Sequence, residues 1–294
     1  MSANGLDEER ICVIGLGLIG GSVVRALRKI GFRGEIVAGV ADADEARRAV
    51  ELELVEHAES DIAKAVAGAT LIVVAVPIGA MAGVFAAMAP AIEPDAVITD
   101  TGSTKASVIA GARAGLGSRF ARYVPGHPIA GTERSGLGAG FAELFQGRRV
   151  ILTPTEQTDF DALARVEALW DALGARVSAM ASAHHDEVLA ATSHLPHVLA
   201  FTLVDTLARM AERTEIFEYA AGGFADFTRI ASSNPQLWGD IVTANHEAIL
   251  PALDRYIGDL EVVRGAIAAG DRETLAATFA RAKSARDGFA AQGD

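Results

Sequence analysis

The chain has 294 residues, half of them hydrophobic, and its 26 basic against 38 acidic side chains give a formal net charge of −12. That length and apolar content are enough for two domains with a sizeable buried core and exclude a disordered chain. The acidic balance excludes nucleic acid and an anionic membrane as partners, since both need a basic face, and any anionic small-molecule substrate must then find a local cationic site.

In chain order, residues Met1 to Arg10 are polar and acidic, without the basic start and apolar run of a signal peptide, and read as a short lead. The only cysteine, Cys12, lies in an apolar run, so a buried thiol and a cytoplasmic location are expected rather than a disulfide. Ile11–Ile14 reads as a strand that enters the glycine turn Gly15-Leu16-Gly17-Leu18-Ile19-Gly20 and a helix through Val23 to Ile30. Glu35–Val40 is a second strand. The stretch Ala65–Ile92 carries no charge and is long enough to cross a bilayer. Within it, however, Leu71–Val76 is a β-rich burst stopped by Pro77, followed by a Gly/Ala/Met-rich segment expected to be a buried helix ending near Pro90. Ala96–Thr99 is a fourth strand, and further strands are expected at Ala121–Val124, Arg149–Leu152 and Arg176–Met180. Alternating strands and helices predict a Rossmann-type α/β nucleotide-binding domain with a mostly parallel sheet, over residues 1–180. Strand bursts end near Ala181, so residues 181–294 are expected to form an all-α domain. The apolar helices around Val188–Met210 and Ile241–Ile267 carry more apolar surface than a small domain hides, which predicts a homodimer.

The glycine turn carries the first chemistry. Gly15 permits a tight turn, Gly17 lets a pyrophosphate approach the backbone, and Gly20 lets the helix pack on the strand; Ser22 follows in the first helical turn. Asp42, just past the second strand, is placed to meet the ribose hydroxyls of NAD, while neighbouring Asp44, Arg47 and Arg48 keep NADP open. Asp100-Thr101-Gly102-Ser103-Thr104-Lys105 follows the fourth strand at the sheet edge where the nicotinamide end of a dinucleotide lies, so Ser103 is either a ligand contact or a helix cap. Gly126-His127-Pro128-Ile129-Ala130-Gly131-Thr132-Glu133 sets a histidine that exchanges a proton near neutral pH in a glycine-flanked loop, and Pro128 biases it to extended backbone. Ser193-His194-Leu195-Pro196-His197 interrupts a helix. Its histidines, with His184 and His185, lack the cysteines and tight acidic clusters of common zinc sites, so no metal is expected. Finally, Gly222-Gly223-Phe224-Ala225-Asp226-Phe227-Thr228-Arg229 and Trp238 suggest a pocket for a flat carboxylate-bearing molecule, with Arg229 as bidentate partner; a surface arginine beside a core aromatic pair is the alternative.

Together these segments resemble the prephenate/arogenate dehydrogenase family of tyrosine biosynthesis. The motifs GLGLIGGS, DTGSTK, GHPIAGTERSG, SHLPH and GGFADFTRIA occur in the family's order and at similar spacing across both domains. The resemblance implies that His127 accepts a hydrogen bond from the ring hydroxyl, that Ser103 assists there, and that Arg229 binds substrate carboxylate. It implies that His197 contacts substrate or cofactor, and that Thr132, Glu133, Gly222, Asp226 and Trp238 line or gate the substrate pocket. On the cofactor side it implies Gly15, Gly17, Leu18, Ile19, Gly20, Asp42, Val76 and Pro77. The expected reaction is NAD-dependent oxidative decarboxylation: neutral His127 takes the hydroxyl proton, hydride leaves the same carbon for nicotinamide, and loss of carbon dioxide gives an aromatic product. The chain departs from the family at the second strand, where an acid usually follows a Gly-aromatic pair but here Gly39-Val40-Ala41-Asp42 stands. No mutase or regulatory domain is expected.

Two other readings compete. A β-hydroxyacid dehydrogenase shares the two-domain layout but needs a catalytic lysine in its helical core, and the lysines here are Lys29, Lys64, Lys105 and Lys283. A dinucleotide-sensing regulator without turnover would have no use for Ser103, His127 and Arg229 together.

Overall fold

The computed structural model describes residues 9–132, 136–210 and 213–290. Its first part is a doubly wound α/β unit: β1 (Arg10–Ile14), α1 (Leu18–Lys29), β2 (Glu35–Gly39), α2 (Ala43–Glu51), β3 (His57–Glu59), α3 (Ile62–Val66), β4 (Leu71–Val74), α4 (Ile78–Met88), β5 (Val97–Asp100), α5 (Ala106–Leu116) and β6 (Tyr123–Val124). The six strands are all parallel in the order β3-β2-β1-β4-β5-β6. Alternation along each strand explains the two-faced core, because successive side chains leave a strand on opposite sides. Ile11, Val13, Leu71, Val73 and Val97 pack with Val23, Val24 and Leu27 of α1, whereas Cys12, Ile14, Ile72, Val74 and Ile98 pack with Met81 and Phe85 of α4 and Val108 and Ala112 of α5.

The uncharged stretch Ala65–Ile92 is thereby divided between α3, a fully buried β4 and α4. The expectation of a buried helix after Pro77 needs correcting. Only Met81, Phe85 and Met88 of α4 are buried, one side of the helix, while its small Gly and Ala residues face outward or lie against α5.

A second, three-stranded sheet follows, made of β7 (Gly126–Pro128), β8 (Arg149–Leu152) and β9 (Arg176–Ala179), with α6 (Phe160–Ala172) between the last two. β7 runs antiparallel to β8, pairing His127 with Ile151, and β8 runs parallel to β9. His127 therefore sits in a strand and not in the expected loop. Pro128 is accepted there because β7 is an edge strand.

From Ser182 on, every described element is helical: α7 (Ser182–Leu189), a π-helical turn (Ala190–His194), α8 (Leu195–Ala208), α9 (Arg213–Glu218), α10 (Gly222–Thr228), a 3-10 turn (Arg229–Ser232), α11 (Pro235–Ala244), α12 (His246–Ala269) and α13 (Arg272–Ala290). The expected interruption at the SHLPH segment needs correcting, because the helix runs on from Ser182 to Ala208. What the segment carries is a π turn at Ala190–His194 within that helix, directly before Leu195 and Pro196. The chain up to His246 forms one compact unit and residues from Glu247 form another. In the second unit Leu250, Ile257, Leu260, Val262, Ile267, Phe279 and Phe289 are all exposed, and Gly270 turns the chain between its two helices with φ +67°.

Candidate active site

The β1–α1 turn is shaped as its glycines predict. Gly15 has φ +90°, and a Cβ there would lie 2.6 Å from the Ala75 carbonyl oxygen at the end of β4. A Cβ on Gly20 would approach the Gly15 oxygen to 1.9 Å, so any side chain at either position breaks the turn. Around Gly17, by contrast, a Cβ would meet nothing within 4 Å, and this residue caps α1 without a side-chain acceptor. An open helix N-terminus, with Leu18, Ile19 and Gly20 in its first turn, is the cradle a pyrophosphate needs. It lies where the strand order reverses between β1 and β4, beside Val76 and Pro77. One turn along α1, buried Ser22 donates to the Leu18 oxygen at 2.6 Å and accepts from the Phe141 amide at 3.0 Å, and Gly140 approaches Gly21 so closely that a Cβ would fall 2.6 Å from its carbonyl carbon. The segment after β7 is thus anchored on the helix that presents the glycine turn. Asp42 caps α2, accepting from the Glu45 amide at 2.8 Å with its side chain exposed, and Arg47 pairs with Asp44.

At the carboxyl end of β5 the sequence DTGSTK builds a buried polar knot. Asp100 accepts from the Tyr123 hydroxyl at 2.6 Å, the Gly126 amide at 3.1 Å, the Gly102 amide at 2.7 Å and Lys105 Nζ at 2.5 Å. Lys105, fully buried, also donates to the Gly126 carbonyl at 2.5 Å and so holds the backbone just before His127. Burial pulls its pKa down, against the pairing with Asp100. Ser103 is half-buried in this loop. It is not the cap of α5, a position held by Lys105, and among the described residues its hydroxyl makes no hydrogen bond.

His127 is buried, and its Nδ1 lies 2.9 Å from Nε2 of His185, whose Nδ1 lies 2.8 Å from Asp186. The Asp186 carboxylate also accepts from the backbone amides of Lys105 and Ala106, each at 2.8 Å, at the N-terminus of α5. Burial opposes its charge, but the bonds from His185, Ala106 and Lys105 win and lower its pKa. These partners favour one arrangement of protons: Nδ1–H of His185 given to the carboxylate, its Nε2 accepting from Nδ1–H of His127, and Nε2 of His127 left with its lone pair. Burial, then the neighbouring His185, Lys105 and His194, holds the His127 pKa well below the ordinary histidine value, so the ring is neutral at physiological pH.

On the helical side, His194 is buried in the π turn, and His197 stacks on Trp238 with ring centroids 3.5 Å apart and planes 15° from parallel. His197 also bonds the Ser193 carbonyl at 2.8 Å; burial lowers its pKa, and the Arg229 charge adds to that effect. Arg229 opens the 3-10 turn after α10 and is exposed, as are Gly222, Asp226 and Thr132. The Asp226 carboxylate makes no hydrogen bond or ion pair among the described residues. Glu133 lies outside the described residues. The four histidines weighed as zinc ligands have four different partners: His184 faces solvent near Glu187, His185 bonds His127, His194 bonds Asn245, and His197 stacks on Trp238. Lys283 is exposed on α13 and pairs with Asp287, so it offers no buried amine of the kind a β-hydroxyacid dehydrogenase needs.

The structure thus joins His127 to His185 and Asp186, and His197 to Trp238 and Arg229. His185, Asp186, Lys105 and Asn245 are the partners that sequence reasoning missed. The available signal was the Asp-Lys pairing across DTGSTK and the His185-Asp186 step at the start of the helical half.

Comparison with known proteins gives a concordant answer. The family model for the nucleotide-binding domain of prephenate dehydrogenase matches residues 23–179, and the model for its dimerization domain matches residues 181–281. A cyclohexadienyl dehydrogenase of Zymomonas mobilis is 44% identical over 282 residues, 95% of both chains. The crystal structure of prephenate dehydrogenase from A. aeolicus in complex with hydroxyphenyl propionate and NAD+ superimposes with a TM-score of 0.89 at 34% identity, covering 97% of this chain and 99% of that one. Synechocystis arogenate dehydrogenase follows with a TM-score of 0.79 at 29% identity, covering 95% of this chain and 99% of that one.

Proposed function

Because the chain belongs to the prephenate dehydrogenase family, an oxidoreductase family, we propose that it oxidatively decarboxylates prephenate, arogenate or both with NAD, in tyrosine biosynthesis. The observation that carries the acid–base part is the buried, neutral His127 ring with its Nδ1 2.9 Å from Nε2 of His185, an arrangement that leaves Nε2 to serve as acceptor. In this reading His127 accepts the proton of the substrate's ring hydroxyl, and His185 and Asp186 hold the imbalance of charge that follows. The unengaged hydroxyl of Ser103 gives a second contact to that oxygen. Bound at the α1 N-terminus, the dinucleotide supplies the hydride acceptor. Loss of the ring carboxylate as carbon dioxide then leaves an aromatic ring, which makes the step effectively irreversible. Arg229 binds a substrate carboxylate beside His197 and Trp238, and Thr132, Glu133, Gly222 and Asp226 border the pocket; these roles rest on the motif matches.

Asp42 remains our candidate for the ribose of NAD. We further propose a domain division at residue 180, a homodimer and a cytoplasmic location. The dimer is supported by the match to a dimerization domain and by the row of exposed apolar side chains on α12 and α13. Initial rates with prephenate and arogenate, each paired with NAD and NADP, test the reading. Turnover of at least one substrate with NAD is expected; no turnover in any pairing overturns it, and kcat/KM for NADP equal to or above that for NAD removes Asp42 from the cofactor site.

A further inference from the structure

Asn245, the residue that ends α11, is 5% exposed, and its Nδ2 lies 2.9 Å from two atoms at once: the backbone carbonyl oxygen of Asp186 and Nδ1 of His194. A backbone carbonyl can only accept, so the atom facing it must be the amide nitrogen, which settles the orientation of the Asn245 side chain. That same nitrogen has only protons to offer to His194. Nδ1 of His194 must then be the acceptor, which requires a ring without a proton on Nδ1.

We infer that Asn245 is a positioning residue that fixes His194 as a neutral imidazole with its one proton on Nε2, making it a hydrogen-bond donor to a carboxylate or carbonyl oxygen of the bound substrate. The role in substrate binding rests on the proposed reaction; the proton position does not. Asp186 then governs both histidines. Through its carboxylate it leaves His127 with a bare Nε2, an acceptor, and through its backbone carbonyl and Asn245 it leaves His194 with a protonated Nε2, a donor. Two identical side chains a short distance apart would otherwise exchange roles freely, since the tautomers of a free imidazole are close in energy. The charged and titratable groups around His194 are Asp186, His185 and His197, with His127 within electrostatic reach; burial dominates and brings its pKa down to about 4, consistent with a ring that stays neutral. Trp238 packs against the ring with centroids 6.1 Å apart and planes 71° from parallel.

The test reads the proton directly. Two-bond 15N–1H correlation spectra of the full-length, histidine-labelled protein distinguish Nδ1–H from Nε2–H rings, and the difference from His194→Gln assigns the His194 signals among the seven histidines. The wild type should show His194 as a pure Nε2–H ring from pH 8 to pH 5. Asn245→Asp, which presents an acceptor to Nδ1, should move a proton onto Nδ1, and Asn245→Leu should give mixed tautomers. A wild-type His194 protonated on Nδ1, or an Nε2–H ring unchanged in either Asn245 variant, overturns the inference, and the wild-type spectrum alone decides if a variant does not fold. In kinetics, Asn245→Asp should raise KM for substrate about 10- to 100-fold, the weight of one hydrogen bond to a charged group, with NAD affinity unchanged. His194→Gln, which keeps a donor near the Nε2 position, should bind substrate more tightly than His194→Leu; equal KM values would show that the proton has no partner in the substrate. Failure of the spectra and failure of the enzymatic reading are thus separate results.

Discussion

The His127 side and the Arg229 side of the candidate site are built in opposite ways. His127 is buried, its partner His185 is fully buried, and the chain of bonds ends on a carboxylate seated at a helix N-terminus, with Lys105 and Asp100 bracing the backbone from below. Arg229 is exposed at the end of a short helix with no buried residue. Proton transfer needs a group held in one place and one protonation state before the substrate arrives. An arginine proposed to take up a substrate carboxylate from solvent does so most readily from an exposed position, where its charge stays solvated.

The sharpest way to break this contrast is at its rigid end. His127→Asn keeps a donor amide near the position of Nδ1 and removes the lone pair at Nε2, so the protein should fold and bind NAD while kcat falls by roughly a hundred- to ten-thousand-fold, the usual range for a positioned proton acceptor. Turnover near the wild-type rate would make His127 a structural residue. At the open end, Arg229→Ala should act on binding: KM for substrate rises by well over tenfold, as expected for loss of one partner of a charged hydrogen-bonded pair, while NAD affinity barely changes. An unchanged KM in substrate titrations at saturating NAD would place Arg229 outside the pocket.

pH separates the two sides further. The pKa of His127 is held well below 6.5 and that of His194 is lowered to about 4, so the acid limb of kcat/KM should fall below the ordinary histidine value. Stability follows the same groups. Both imidazoles bind protons more readily in the unfolded chain, so their contribution is present above about pH 6.5 and drains away as pH falls toward the folded-state values. Tm should therefore drop by several degrees between pH 7.5 and pH 5 in calorimetric scans, and a flat profile would count against neutral buried histidines. The smallest effect lies far from the site. Glu53, two residues past the end of α2, has φ +53° and bonds back to Val50 while Leu54 bonds back to Ala49, a helix terminus that favours glycine. Glu53→Gly should stabilise the protein by about 0.5 to 1 kcal/mol, measured by urea unfolding, with activity unchanged.

What the sequence made legible was local and periodic. Ile11–Ile14 and Leu71–Val74 announce themselves as parallel strands because both their faces are buried, and Gly15, Gly17 and Gly20 announce a turn that only small residues permit. β3 and β7 escaped for the same reason: His57–Glu59 and Gly126–Pro128 are three-residue edge strands, held by pairing with a neighbour and not by any pattern of their own. At the candidate site, His127 stood out by its motif. Its supports did not, because Asp186 and Lys105 meet across 81 positions of sequence, and no spacing rule connects an aspartate in one helix to the amides of another.

Cys12 sits in β1, bonded on both sides by β2 and β4, with no exposed surface and a thiol pKa pushed up to about 12 by burial. A thiol so protonated and enclosed is silent toward alkylating reagents in the native protein. It reacts only when the middle of the parallel sheet comes apart. The sole sulfhydryl of this chain is therefore a built-in clock: the rate at which a thiol reagent labels it counts how often the nucleotide-binding half opens completely, and fraying of loops or of the helical half goes unrecorded.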